Sequence, residues 1–343
     1  MRSKRNICFL LFVLLIISAA TASAEKPRYL EITFISTNDL HLHDLPFTLP
    51  ADAKSNRPAI EDVGGMARIA TIINKTRAEK RTPVLVVDSG DTTHGSGALA
   101  RAFRGGSIVA VMNAIGYDAM VPGNHDFQWH SGDLLRNLRE STFPWVCANV
   151  VYKDTGKPFT EPYVIKEVDG VRIAIFGLTN NLVETQPNIY LSGPELGLKA
   201  LDPTEVASKL VPELREKADI VVLLSHLGFS KDKALAKAVP GIDIILGGHT
   251  HTKLDKPEMT AVGQPTAFWI GAVPITQAWY YGIYVGKTRL IFHRDRTTNR
   301  YTLMSCKGEL VPINNSIPED PKITGIIRNF QKRIPKPPAP ASK

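Results

Sequence analysis

Three short runs rich in β-branched residues, at 84–88, 220–224 and 242–246, each break a stretch of helical period. A run that is apolar on both faces needs cover on both sides. It therefore belongs inside a sheet that is itself packed front and back, which points to a layered α/β fold. Further strands are expected at 29–36 and 119–121, with a hairpin of 163–167 and 171–176 turning at Asp169-Gly170. Helices are expected at 64–77, 107–115 and 203–217, the last opened by Pro203, whose fixed φ suits a first turn. Beyond residue 266 the pattern is short strands to 292. Residues 25–295 read as one main domain and 296–333 as an extension with a short strand and a helix over 321–333. The proline-rich 334–343 reads as a disordered tail.

The first 24 residues stand apart. Three basic residues precede a wholly apolar stretch, and Ala22-Ser23-Ala24 follows, the small residues of a cleavage site. This is the pattern of a secretory signal, so the mature protein is expected to begin near Glu25, in the periplasm or outside the cell. The apolar stretch is shorter than the roughly 20 residues of a membrane span, and no later segment is long and apolar enough. Hence no membrane attachment is expected after cleavage. Removing these residues takes Lys and Arg from 41 to 38 against 33 Asp and Glu, and the formal charge from +8 to +5. That surplus is scattered, with no basic stripe or nucleic-acid-binding motif, so nucleic acid is not an expected partner. Any protein partner is unknown at this level. Export permits a disulfide between Cys147 and Cys306, but the apolar surroundings of Cys147 favour a core thiol.

The polar residues that need explaining fall just after the predicted strands, where layered α/β folds bind ligands. Five segments carry them: Asp39-Leu40-His41, Gly90-Asp91, Gly123-Asn124-His125-Asp126, Ser225-His226 and Gly248-His249-Thr250-His251. On an extended backbone, an Asp-x-His or His-x-His pair points both side chains to one face. Imidazole together with carboxylate suits zinc, manganese or iron better than calcium. Singly each signal is weak: Asp91 could cap a helix, Asn124 could sit in a turn, and His226 could be a satisfied core histidine. Together, in order and each at a strand end, they point to a metal site. The pair His41-Leu42-His43 also suits an amidohydrolase, but that reading leaves the Gly-Asn-His-Asp and Gly-His-Thr-His segments unexplained.

This order of segments resembles the calcineurin-like metallophosphoesterases, and among them the secreted 5′-nucleotidases. The likeness runs from about Ile32 to Gly286 and takes in residues 37–41, 64–70, 89–91, 121–127, 148–150 and 243–251. It implies a four-layer α-β-β-α sandwich, two divalent metal ions and a small phosphorylated substrate. Carried over by position, Asp39, His41 and His251 would hold one metal, and Asn124, His226 and His249 the other, with Asp91 bridging both. Attack would come from a hydroxide bridging the two ions. Asn124 and His125 would contact substrate, and His125 would stabilise or protonate the leaving oxygen.

The sequence departs from that family in three places. Gln128 stands where its nucleotidases usually carry an aspartate that partners the catalytic histidine. Leu42 replaces a usual glycine, leaving the 42–60 loop with His43 and Asp44 free to differ. The third departure is the base-selecting C-terminal domain, for which the 343 residues leave no room in this reading. The expected function is thus phosphate-ester hydrolysis, with nucleotides first among substrates. Alternatives are cyclic phosphodiesters, nucleotide-sugar pyrophosphates, sulfur esters, or a non-catalytic metal-binding protein. Trp129 and Trp279-Tyr280-Tyr281 read as packing residues. Asp126, on an extended segment, would point away from His125. Gln128 can fix the His125 ring but brings no charge to stabilise an imidazolium. The rate–pH profiles of the wild type and Gln128→Asp are therefore expected to differ, and superimposable profiles would remove the idea.

Overall fold

A computed structural model describes residues 26–261 and 272–335 of the chain. The expected signal at 1–24, part of the strand run beyond 266, and all but the first two residues of the 334–343 tail lie outside the described residues. Two sheets carry the fold. The first has the order Tyr301–Pro312, Tyr284–Arg294, Tyr29–Thr37, Val84–Asp88, Ala119–Met120, with its last three strands parallel. The second runs Glu258–Ala261, Ala272–Thr276, Ile244–Gly247, Ile220–His226, Val171–Thr179, Tyr163–Val168, with four parallel strands between antiparallel edges.

Side-chain alternation sets the layers. Leu30, Ile32, Phe34, Leu85 and Val87 of the first sheet meet Ile173, Ile175, Val222, Leu224, Ile244 and Leu246 of the second in one buried core. The opposite faces take helices. Ile35 and Val86 pack with Met66, Ile69 and Ile73 of Met66–Ala78, with Ile108 and Met112 of Gly106–Ile115, and with Ile323 and Ile327 of Pro321–Lys332. Phe176, Val221, Leu223 and Ile245 pack with Ala207, Val211 and Leu214 of Pro203–Lys217 and with Leu235 of Phe229–Ala238. These helical residues recur every three or four positions, giving each helix one apolar stripe. Asp202 and Asp320 cap the two proline-initiated helices, each carboxylate accepting two backbone N–H bonds. The result is the four-layer α-β-β-α sandwich.

Differences from the sequence reading are local. The sequence reading has no helix at Ala98–Phe103, Ser131–Glu140 or Phe229–Ala238; the first, six residues after Gly95-Ser96-Gly97, is too short to show a period. The strand expected at 242–246 begins at Ile244. There the Asp243 carboxylate accepts the Val221 N–H at 2.8 Å and pairs with Arg215 at 2.7 Å, holding the chain before the ladder starts. The strand expected to be short after residue 296 is twelve residues long and pairs with Tyr284–Arg294 along its length. Cys147 is buried and Cys306 half-buried, both as free thiols. Among the described residues no helix is long and apolar enough to cross a membrane.

Phe34 is fully buried between the two sheets. Phe34→Ala is expected to lower unfolding stability by about 3–5 kcal/mol, read from the denaturant midpoint at unchanged slope.

Candidate metal centre

The carboxyl ends of the parallel strands open onto one edge of the sandwich, and there the ladder continues past the strands. Ser89 N–H donates to the Thr37 carbonyl at 2.8 Å, Asp39 to Gly90 at 2.8 Å, His41 to Asp91 at 2.9 Å and Leu42 to Thr92 at 3.0 Å. The second sheet is stitched to these loops. Ser89 Oγ donates to the Leu246 carbonyl at 2.7 Å, His226 Nδ1 to the Ser89 carbonyl at 2.6 Å, and His249 N–H to Asp39 Oδ2 at 3.0 Å.

The backbone here is not extended, contrary to the expectation that strand alternation aims the pairs. Asp39, His41, Asp91, His249 and His251 have φ of 51°, 44°, 57°, 76° and 50°. Left-handed conformation costs a non-glycine residue on the order of 1–2 kcal/mol, so the flanking hydrogen bonds must hold each one. Close approach also explains Gly123. A Cβ there would sit 2.2 Å from Asp91 Oδ1, so a side chain would displace that carboxylate.

The fold brings together all seven predicted ligand residues. The ligating atoms of Asp39, His41 and His251 lie within 4.8 Å of one another, as do those of Asp91, His226 and His249. Asp91 stands between the groups. Its Oδ2 is 3.1 Å from His226 Nε2, 3.9 Å from His41 Nε2 and 4.0 Å from His125 Nε2. Asn124 Oδ1 accepts one hydrogen bond, from Asn180 Nδ2 at 2.7 Å, which leaves a second lone pair on a neutral oxygen.

Donor chemistry tests whether cations fit. His226 spends its Nδ1 proton on Ser89, and its buried Nε2 makes no hydrogen bond although Asp91 Oδ2 is adjacent. An imidazole lone pair facing a carboxylate is repulsive unless a positive charge lies between them. In the bare chain that charge is a proton: burial works against it, but Asp91 and then Asp39 outweigh burial and push His226 up to about 10. Burial likewise opposes the Asp91 charge, yet the His226, His41 and His125 imidazoles hold its carboxyl well below the usual range. Burial, partly offset by Asp91, pushes His41 down to about 4; burial and the His226 charge push His249 down to about 4. Both rings are then neutral near pH 7 and keep a lone pair to offer. Divalent cations fit this donor set.

His125 lies on a 3₁₀ turn, His125–Gln128, not on an extended segment. Residues i and i+3 eclipse in such a turn, and Gln128 Oε1 accepts from His125 Nδ1 at 2.8 Å. The same turn drives Asp126 inward. Its buried carboxylate accepts the N–H groups of Asp91, Thr92, Thr93 and Gly123 at 2.7–3.1 Å, and the Thr93 hydroxyl. Asp126 therefore ties the Asp91 loop to the Asn124 loop.

Several neighbours went unread in the sequence. Asn180 Nδ2 reaches Asn124, lies 3.2 Å from the His226 carbonyl and 3.4 Å from His249 Nδ1. Asn124 Nδ2 donates to the Tyr190 hydroxyl at 3.0 Å. Neither residue belongs to a recognisable spacing. The 42–60 loop turns inward at its start and is mostly exposed from Pro50 on: His43 stacks on Tyr281 with centroids 4.0 Å apart, and burial pushes the Asp44 carboxyl up to about 7. Tyr280 and Tyr281 pack at the rim, beside His251 and His41.

Asp126→Asn replaces one accepting oxygen with an NH₂ group facing N–H donors. It is expected to weaken zinc or manganese binding to the metal-stripped protein about 10–100-fold by calorimetry, the range for loss of a residue that supports ligands from behind. Wild-type affinity in this variant would remove the tie from the site.

Residues 32–253 match the family described as calcineurin-like phosphoesterase. The chain is similar to 5′-nucleotidase of Bos taurus, 31% identical over 318 residues, which cover 89% of this chain and 53% of that protein. A solved 5′-nucleotidase precursor from Thermus thermophilus superposes with a TM-score of 0.75 at 29% identity, covering 89% of this chain and 59% of that one. YfkN from Bacillus subtilis, at 24% identity, shares the fold with a TM-score of 0.73 over 89% of this chain and 98% of that one. The chain spans about half the length of the curated nucleotidases it matches. With that match running through the loops just described, the chain belongs to the calcineurin-like phosphoesterase family of metal-dependent hydrolases.

Proposed function

We propose that this chain is an exported two-metal phosphoesterase that hydrolyses small phosphate esters, nucleotides first among them. The observation that carries the reading is the convergence of three imidazole Nε2 atoms on Asp91 Oδ2, between two clusters of ligand type. In this assignment Asp39, His41 and His251 hold one ion, Asn124, His226 and His249 the other, and Asp91 both. Two divalent ions, zinc, manganese or iron by donor type, would supply Lewis acidity for the phosphoryl oxygens and an acidified water as nucleophile. The protein's own part is positional. The Asp91 carboxylate fixes the spacing of the clusters, and the Asn124 amide contributes a ligand oxygen without adding negative charge. His125, oriented by Gln128 and open at Nε2, faces the substrate and serves the leaving oxygen. Nucleotides are favoured by the likeness to 5′-nucleotidases, and export by the basic, apolar and small-residue order of the first 24 residues.

A second reading keeps the site and changes the ester to a cyclic phosphodiester, a nucleotide-sugar pyrophosphate or a sulfur ester. It rests on Gln128, which orients His125 without a charge, an arrangement that suits leaving groups needing less help from a proton.

The purified protein, stripped of metal and restored with zinc or manganese, is expected to bind about two ions per chain and to hydrolyse nucleoside monophosphates and an activated aryl phosphate. His125→Ala is expected to lower kcat about 10²–10⁴-fold at unchanged metal content, and Asp91→Asn to lose metal and activity together. Metal binding without turnover of any phosphate ester would favour sulfur esters or a non-catalytic role. No metal binding would overturn the assignment.

A further inference from the structure

The Asp91 loop carries a second imidazole that the reading so far leaves unused. His94 is half-buried, its ring near-parallel to that of His125 with centroids 5.9 Å apart, and 4.6 Å from the ring of Trp129. Its backbone is pinned on both sides. Just before it, Thr93 gives its N–H and hydroxyl to Asp126 and its carbonyl accepts Trp129 Nε1 at 2.8 Å. Just after it, Gly95 lies so close that a Cβ would fall 2.2 Å from the His41 carbonyl oxygen. Yet among the described residues the His94 ring nitrogens have no hydrogen-bond or ion-pair partner. A half-buried imidazole on a fixed backbone, with both nitrogens free beside the group that serves the leaving oxygen, is placed to meet a ligand.

The chemistry narrows what that ligand is. In an in-line displacement the leaving group departs on the face away from the nucleophile, the side His125 serves, so a neighbour of His125 meets the leaving alcohol. Burial, with the nearby His125 charge, pushes His94 down to about 4, so near pH 7 the ring is neutral. It then offers one donor and one acceptor, the complement of a hydroxyl group and a poor match for a second phosphate. We propose that His94 hydrogen-bonds a hydroxyl on the leaving alcohol, a ribose hydroxyl in the nucleotide reading, and so selects sugar phosphates over phosphates of plain phenols. The inference rests on the phosphoesterase reading of His125. Sites built to hydrogen-bond a substrate hydroxyl discriminate strongly against analogues that lack it.

The experiment compares kcat/KM of the full chain for a nucleoside 5′-monophosphate, its 2′,3′-dideoxy analogue and p-nitrophenyl phosphate, in wild type, His94→Ala and His94→Asn. His94→Ala is expected to lower the preference for the ribonucleotide over each of the other two about tenfold, the size of one hydrogen bond. His94→Asn, which keeps a donor and an acceptor, should recover part of that preference. Equal losses on all three substrates would mean that His94 only packs against His125 and Trp129, and would overturn the proposal. A wild type that does not distinguish the ribonucleotide from its dideoxy analogue would also overturn it, while activity on p-nitrophenyl phosphate kept the phosphoesterase reading intact. Loss of all three activities in the wild type would instead remove that reading. Thermal melting of both variants separates misfolding from lost recognition, and His94→Asn carries the test if His94→Ala does not fold.

Discussion

A carboxylate and an imidazole that are both fully buried, Asp91 and His226, face each other at 3.1 Å at the junction of the two sheets. Neither could be charged alone at that depth; an unpaired buried ion costs several kcal/mol, and breaking one partner away leaves the other uncompensated. The surroundings are arranged around that constraint. Ser89, which follows the Val84–Asp88 strand of the first sheet, accepts a hydrogen bond from His226 Nδ1 through its carbonyl and grips Leu246 of the second sheet through its hydroxyl. Thus one residue orients the imidazole and locks the sheets whose edges carry the other groups. The free Nε2 lone pair is forced toward Asp91, and only a cation or a proton relieves that contact.

Holding the centre requires backbone that the sequence disfavours. Five side chains of the centre sit on left-handed residues, none of them glycine. The inter-loop ladder from Thr37 to Thr92 holds three of these positions, and the Asp126 carboxylate gathers the N–H groups around Asp91 and Gly123 that would otherwise be buried and unmet. Packing between the sheets supplies the stability; the hydrogen-bonded loops convert it into fixed positions for ligand-type atoms. His94 and His125 share that support, since Thr93 and Asp126 anchor both loops.

How much of this could be read in the chain depends on range. The buried runs at 84–88 and 220–224 announced the layers because apolar periodicity is local, and His226 and Asp91 were legible because each ends such a run. What Asp126 holds was not legible, because its place depends on a 3₁₀ turn and on four N–H groups, three of them from a segment more than thirty residues away. Asn180 and Tyr190 carry no motif and come into place only when the Val171–Thr179 strand pairs beside Ile220–His226. His94 was passed over for a related reason: in the sequence it is one more polar residue in a glycine-rich loop, and only Trp129 from another loop and the packing of its neighbour Gly95 against His41 give its ring a fixed place.

Charge balance ties the proposed ligand set to its substrate class. Two carboxylates, four imidazoles and one amide face two dications in that assignment, so the loaded centre keeps a net positive charge. Had Asn124 been an aspartate, or had Asp126 turned toward the metals rather than into the N–H groups behind them, that surplus would shrink and with it the attraction for a phosphate dianion. The fold keeps the third acid away by spending both its oxygens on backbone donors. Its own carboxyl is pushed up, chiefly by burial and also by the Asp91 charge. In the proposed assignment, attraction for an anionic ester would follow as much from where Asp126 points as from which residues would bind metal.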